Sequence, residues 1–159
     1  MTTQKYSLRS HLLKEASQSP TSLMLATLKE LVDTHQTHST RSYTFVLNHP
    51  GCHCVLDIEV DGPDLIWVNN LDVVGADGQP DLKCFRKGYG RQMLSLLAQA
   101  ADSHHVTLEL IAAPPASLKR QFPQLPDKDQ LAELYGDYDF YETSRNSAQV
   151  FMRRDPSSQ

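Results

Sequence analysis

No stretch of the 159-residue sequence approaches the run of about 20 apolar residues that a membrane helix needs, and the first residues carry no apolar core of the signal-peptide kind. Cysteine is scarce. Three residues, an odd count, leave no complete internal disulfide framework, and a reducing, cytoplasmic setting is the expectation. Cys52-His53-Cys54 with His49 nearby invites a zinc reading, but Cys52 and Cys54 would share one strand face and no second ligand pair follows. No metal is therefore expected, and the thiols read as buried or edge residues. Positive charge is not in excess either. With a formal net charge of −4 there is no global field to gather nucleic acid, although a local basic patch survives that balance. Internal repeats and composition breaks are absent, so the expectation is one domain over 1–159, with 1–19 and 155–159 peripheral. Apolar residues at 40% and charged residues at 21% are ordinary for a globular chain long enough to bury a core.

What is present reads as alternating elements. An apolar cluster (Tyr6, Leu8, Leu12, Leu13) suggests a short strand over 4–8 and then a helical turn. Ser19-Pro20-Thr21-Ser22 caps a helix from Leu23 to about His35, with Leu23, Leu25, Ala26, Leu28, Leu31 and Val32 as its apolar stripe. The polar tract from Thr34 to Ser42, with His35 and His38, reads as a surface loop. Three strands follow, Tyr43 to Leu47, Cys54 to Val60 and Leu65 to Val74, joined at Asn48-His49-Pro50-Gly51 and Asp61-Gly62 into an antiparallel meander. Gly75 to Pro80 reads as a flexible exposed insertion. An amphipathic helix from Gly88 to about Ser103 buries Met93, Leu94, Leu96, Leu97, Ala100 and Ala101, and Val106 to Ile111 is a central strand. Strand, helix and strand make a βαβ unit, so these two strands should be parallel. The proline-marked segment from Ala113 to Pro126 reads as an exposed excursion more than as a lid or substrate wall. A short helix over Gln130 to Tyr135 and a strand over Gln149 to Arg153, closing the sheet, complete an α/β fold: a mixed sheet flanked by helices.

Lys83-Cys84-Phe85-Arg86-Lys87-Gly88-Tyr89-Gly90-Arg91 is the stretch with chemistry in it. On the glycines alone, a solvated basic turn opening a helix accounts for it. The strand before it and the helix after it change the weighting. Unpartnered helix N–H groups and the helix dipole favour an anion there, and glycine lets the backbone approach phosphate oxygens. A Walker loop would end in Gly-Lys-Ser/Thr, and a dinucleotide fingerprint would carry a third glycine; neither is found.

With Asn70-Leu71-Asp72-Val73 as the preceding strand end, Arg86 to Arg91 resembles the pyrophosphate loop of the GNAT acyltransferase superfamily, whose pattern is Gln/Arg-x-x-Gly-x-Gly/Ala. Leu134-Tyr135-Gly136-Asp137-Tyr138-Asp139-Phe140 resembles that family's second signature, Leu-Tyr-x-x-x-Gly-Phe. Three departures stand out: Phe85 where Gln or Arg is usual, Lys128 where asparagine is usual, and Asp139 for the glycine. The last implies a turn built differently, since aspartate tolerates left-handed geometry less freely. The resemblance implies acetyl-CoA as acyl donor, with Leu71, Asp72, Val73, Arg86, Lys87, Gly88, Tyr89, Gly90 and Arg91 binding it. Backbone N–H groups near Leu71 and Val73, at a strand end splayed from its neighbour, would orient the pantetheine and polarise the thioester.

The same resemblance implies Tyr135 as general acid to the departing thiolate and Glu109 as a base for an acceptor amine of a small molecule or protein. Read on residues alone, Tyr135 is equally a core tyrosine, and Glu109 equally a carboxylate paired with a cation. Asp72 and Asp57 are weaker bases, and Trp67 stands where histone-type members carry theirs. From a reference pKa of about 10 against about 8.5 for a thiol, proton transfer from tyrosine is uphill by roughly 2 kcal/mol. With no strong base in view, a low-pKa amine is favoured: neutralising an α-amine costs about 1 kcal/mol at pH 7, a lysine about 5. Two rivals remain: an idle member that binds acyl-CoA or a protein partner, and a tRNA-directed acetyltransferase, against which the acidic balance argues. A homodimer is compatible with the sequence and leaves no trace in it.

Overall fold

In the computed structural model, which describes residues 19–157 except residue 115, seven strands form one mixed sheet in the order β1-β2-β3-β4-β5-β7-β6. They are β1 (Thr34–Thr37), β2 (Ser42–His49), β3 (Cys52–Val60), β4 (Leu65–Gly75), β5 (Thr107–Ala112), β6 (Tyr141–Arg145) and β7 (Val150–Arg154). The helices are α1 (Pro20–Leu31), α2 (Tyr89–Ser103), α3 (Ala116–Gln121) and α4 (Lys128–Gly136). The strand expected over 4–8 lies outside the described residues.

Ser19 caps α1, its hydroxyl accepting the Ser22 N–H at 3.2 Å, and Pro20 opens the first turn, where its missing N–H costs nothing. The helix ends earlier than its expected limit near His35. Val32 is extended, and the Asp33 N–H donates to the Val46 carbonyl at 3.0 Å, so the chain peels away into a strand. The tract expected as a loop is therefore β1, paired antiparallel with β2 from Thr34↔Val46 to Thr37↔Tyr43. All four of its side chains are exposed, so it carries no apolar alternation to read. The stripe of α1 is also rotated from its expected line: Met24, Leu25 and Leu28 are buried, whereas Leu23 and Leu31 face solvent.

β2, β3 and β4 form the expected antiparallel meander, and their alternation buries Phe45, Cys54, Leu56, Ile58, Ile66 and Val68 with Met93, Leu94 and Leu97 of α2 in one core. The α2 crossover brings β5 parallel to β4, as the βαβ pattern requires. The far side departs from expectation. Val150–Arg154 does not close the sheet; it sits between β5 and β6, and Tyr141–Arg145 is the edge. Every residue of β6 is exposed, which hides it from a hydrophobic pattern. The 113–126 segment also holds a short helix, α3.

Asp139 corrects another expectation. Its φ is +71°, so it takes the left-handed geometry itself, and the turn closes with the Phe140 N–H donating to the Tyr135 carbonyl at 3.3 Å. A glycine would reach that conformation at less cost. Among the described residues no helix is long and apolar enough to cross a membrane.

Candidate functional site

The site begins with a strand that loses its neighbour. β4 pairs with β5 only from Leu65↔Thr107 to Val68↔Leu110, yet it runs on to Gly75. A bulge sits where they part: Asp57 faces Asn70 and Ile58 faces Val68, so Asn69 is an extra residue on β4 and the strand bends there. Beyond it, residues 70–75 keep β3 on one side and have no strand on the other, while the last residues of β5 pair only with β7. A cavity of about 750 Å³ opens between the diverging strands. Its walls are the end of β4, the loop over 84–91, the tip of β5, the 113–126 segment and α4.

The N-terminus of α2 opens onto this cavity. Gly88 is its N-cap at φ +80°, a left-handed conformation with no side chain to satisfy the helix. The Gln92 N–H reaches the Gly88 carbonyl at 3.1 Å, whereas those of Tyr89, Gly90 and Arg91 meet no acceptor among the described residues. No acid lies in the first turn, and Arg86, Lys87 and Arg91 surround it. Three unspent donors, a positive dipole end and basic side chains together favour negative charge there. α2 also lies close to β4 here, since a Cβ on Gly90 would come 3.9 Å from Val73 Cγ2.

The loop before the helix is braced from two sides. Cys84 forms a disulfide with Cys52 at the start of β3, which corrects the expectation that the cysteines are free thiols; of the three, Cys54 alone is free, and it is buried. With this bond present, the cysteines no longer argue for a reducing compartment. On the other side Phe85 meets Phe122 edge to face at 5.6 Å, and Arg86 Nη2 donates to the Gln124 carbonyl at 3.4 Å. Phe85 is thus a wall contact rather than a polar donor. Lys119 Nζ donates to the Pro123 carbonyl at 2.7 Å and also to that of Leu125, folding the segment onto itself. The 113–126 segment, read from sequence as an exposed excursion, is a cavity wall through Leu118, Gln124 and Leu125.

Tyr135 projects from α4 into the same cavity. It is 8% exposed, packs edge to face on Phe140 at 5.7 Å, and its hydroxyl has no partner among the described residues. Burial first, then the charges of Asp72 and Cys54, push its pKa up to about 12. Burial, with Asp72 again contributing, lifts the Cys54 thiol to about 12 as well.

The expected residues fall into two groups. Leu71, Asp72, Val73, Arg86, Lys87, Gly88, Tyr89, Gly90, Arg91 and Tyr135 all line the cavity. Glu109 does not. It lies opposite Trp67 and Arg153 on the flanking strands, and Arg153 Nη1 donates to its Oε1 at 3.1 Å. Arg91 lines the rim, but its guanidinium bonds Asp137 at 3.2 Å. Asp72 is held by Asn70, whose Nδ2 donates to Oδ2 at 2.5 Å. Sequence reading did not pick out Cys84 as a brace, and an odd cysteine count concealed the pair. Nor did it single out Gln124 and Leu125, which carry no motif.

No family model matches the chain, and no curated protein matches it. Among solved structures, it is similar to the crystal structure of the anti-CRISPR protein AcrVA5, with 18% identity and a TM-score of 0.44, over 69% of this chain and 96% of that one. At so low an overlap the likeness supports no statement about activity, which has to come from the geometry of the site.

Proposed function

We propose that the cavity is an acyl-CoA site of the GNAT type and that the protein is an acetyl-CoA-dependent N-acetyltransferase acting on a primary amine of a small molecule or protein. The observation that carries the reading is the joining, in one cavity, of the unspent N–H groups of Tyr89, Gly90 and Arg91 with a strand end that has lost its partner. The first suits a diphosphate. The second offers backbone N–H and C=O groups over 70–74 in the manner of an unfilled sheet edge, Gly75 being closed by its own turn, which suits an amide-bearing arm laid alongside. Acetyl-CoA supplies such a diphosphate, such an arm and an activated thioester.

Within this reading Lys87 and Arg86 add charge at the rim, and Gly88 keeps the approach to the helix clear. Tyr135 acts by hydrogen bonding. Its pKa of about 12 against about 8.5 for a thiol puts full proton transfer uphill by roughly 5 kcal/mol, whereas donating a hydrogen bond to developing negative charge carries no such cost. Acyl-CoA is a metabolite of the cell interior, which fits a cytoplasmic location; the Cys52–Cys84 bond weighs on the other side.

The test is titration with acetyl-CoA followed by a free-thiol assay over amines, peptides and aminoacyl-tRNA, with Tyr135→Phe as control. Saturable binding and amine-dependent thiol release, slowed about tenfold to a hundredfold by Tyr135→Phe, are expected. Absence of affinity for any CoA species would defeat the proposal. Phe85, packed on Phe122 where the family pattern has a polar side chain, favours a second reading, a binder that does not turn over; binding with no thiol release from any acceptor would establish it.

A further inference from the structure

The central strands carry four acids, and they are not treated alike. Glu59 has Arg41 at 3.9 Å, and Glu109 has Arg153 at 3.1 Å. Asp57 and Asp72 have only neutral donors: Thr44 Oγ1 to Asp57 Oδ1 at 2.5 Å, and Asn70 Nδ2 to Asp72 Oδ2 at 2.5 Å. Among the described residues no Lys, Arg or His lies within ion-pair distance of either one. Both are half-buried, and a carboxylate without a cation is open to a positively charged ligand wherever one can reach it.

Position separates Asp72 from Asp57, because Asp72 lines the cavity. Its neighbours Leu71 and Val73 pack into the core and face Leu56 and Cys54, both fully buried. Strand alternation therefore turns Asn70 and Asp72 to the opposite face, away from α2 and its basic loop. Tyr135 supplies an independent sign that this cavity takes a ligand: a polar side chain 8% exposed, with no partner for its hydroxyl among the described residues.

We propose that the acceptor is a cationic primary amine whose ammonium group docks on the Asp72 carboxylate, with Asn70 as the positioning residue that holds that carboxylate. This rests on the acyl-transfer reading above and narrows it. Basic groups at the mouth of α2 match the anionic donor, and the one carboxylate in the cavity wall without a cation matches a positive acceptor. An ammonium donates to Asp72 Oδ1, the oxygen that Asn70 leaves open, and gives one proton to that carboxylate before the neutral amine attacks the thioester and displaces the CoA thiolate. Glu109, tied to Arg153, is not free to compete for it.

The experiment uses the full chain with saturating CoA and two probes of equal length, n-hexylamine and n-hexanol. Binding is followed through the Asn70 carboxamide signals in ¹H–¹⁵N spectra, and CoA affinity by calorimetry. n-Hexylamine should shift those signals saturably, and n-hexanol should not. Asp72→Asn should weaken amine binding by about tenfold or more, measured at a CoA concentration that saturates the variant. Asn70→Ala, which keeps the carboxylate but removes the reporter, should raise KM for n-hexylamine by about threefold with kcat unchanged, read by thiol release with acetyl-CoA in place of CoA. Equal binding of the two probes, or amine binding unchanged in Asp72→Asn, overturns this proposal and leaves acyl transfer standing. Failure of the wild type to bind CoA overturns both.

Discussion

The two ends of α2 are finished in opposite ways. At the C-terminal end the carbonyls of Ala100, Ala101 and Asp102 are all taken by the residues that follow. His105 takes φ +56°, and the chain closes with Val106 N–H to the Ala101 carbonyl at 2.9 Å and His105 N–H to that of Asp102 at 3.4 Å, a Schellman turn made without glycine. Asp102 sits there against the helix dipole and is held by Arg154, which is 2% exposed, through two bonds of 2.8 Å. The remaining guanidinium donor Nε goes to the Tyr138 carbonyl at 2.7 Å. At the N-terminal end three N–H groups meet no acceptor among the described residues, no side chain caps the helix, and basic residues crowd a positive dipole. One end is closed by the protein's own groups; the other leaves donors over. Because it cannot lock itself, the open end is held from outside, by the Cys52–Cys84 bond and the Phe122 wall.

The largest break falls at the closed end. Asp102→Ala leaves a buried Arg154 without its counter-charge and should cost about 4 kcal/mol, lowering Tm on the order of 10 °C. CoA affinity of the folded fraction should stay within about twofold, since the site lies at the other end. The acid side gives a second check. Arg154 holds the Asp102 pKa below the ordinary carboxylate value, against the opposing effect of burial. This contribution is complete above the unfolded-state pKa and is lost as pH falls through the lowered one, so the variant should lose less stability on acidification than the wild type. A parallel acid limb in both proteins would refute the lock.

Breaking the brace comes next. Cys84→Ser opens a loop closed across a sequence separation of 32 residues, worth about 3.5 kcal/mol on the chain-entropy view. Unlike the Asp102 change, it should also weaken CoA binding, by about tenfold, because the loop that presents Gly88 is no longer held in advance. Dithiothreitol should do the same to the wild type and nothing more to the variant. An unchanged CoA affinity in reduced protein would show that the loop needs no brace.

High pH should attack the open end first. Tyr135 is raised to about 12 by burial, Asp72 and Cys54. The stability tied to its neutral form is therefore whole below the unfolded pKa of about 10 and is lost as pH rises through 12, roughly 3 kcal/mol in all. Tyr135→Phe should remove that part of the alkaline loss and leave the part due to Cys54, whose own pKa is raised to about 12. Denaturant midpoints taken from pH 8 to 12 decide it; identical profiles would place the phenol in water.

Both ends of α2 were within reach of sequence reading to different degrees. Its apolar face and its glycine-flanked, acid-free start are side-chain patterns, and they survive with one exchange on the face, where Ala98 is buried and Leu96 only half-buried. β1 and β6 escape because edge strands with every side chain exposed carry no alternation. The splay of β4 from β5 is an event in the backbone, and only the family resemblance anticipated it. Glu109 reads as a candidate base until its cross-strand neighbour is known; Arg153, 44 residues away in sequence, takes its carboxylate. The Cys52–Cys84 pair hides behind a third cysteine that has no part in it. Local patterns are legible, whereas pairings made across the sheet have to be seen.

The smallest change is the sharpest on the comparison. Gly90 lies in the first turn of α2, and a Cβ there would sit 3.9 Å from Val73 Cγ2, an ordinary contact. Its φ is not in the left-handed region, unlike that of Gly88. On the protein alone Gly90→Ala should stabilise, by a few tenths to about 1 kcal/mol, because alanine loses less chain entropy in a helix. Toward a ligand alanine should be tolerated, since the family pattern admits glycine or alanine at this position, and the Kd for CoA should stay within about twofold. Gly88→Ala is the contrasting change. At φ +80° a Cβ is strained, and a shift of this N-cap re-aims the three unspent N–H groups. Stability should therefore fall by about 1 kcal/mol and the Kd for CoA should rise by about tenfold. Equal CoA affinity in the two variants would make the open end of α2 a packing accident rather than a site.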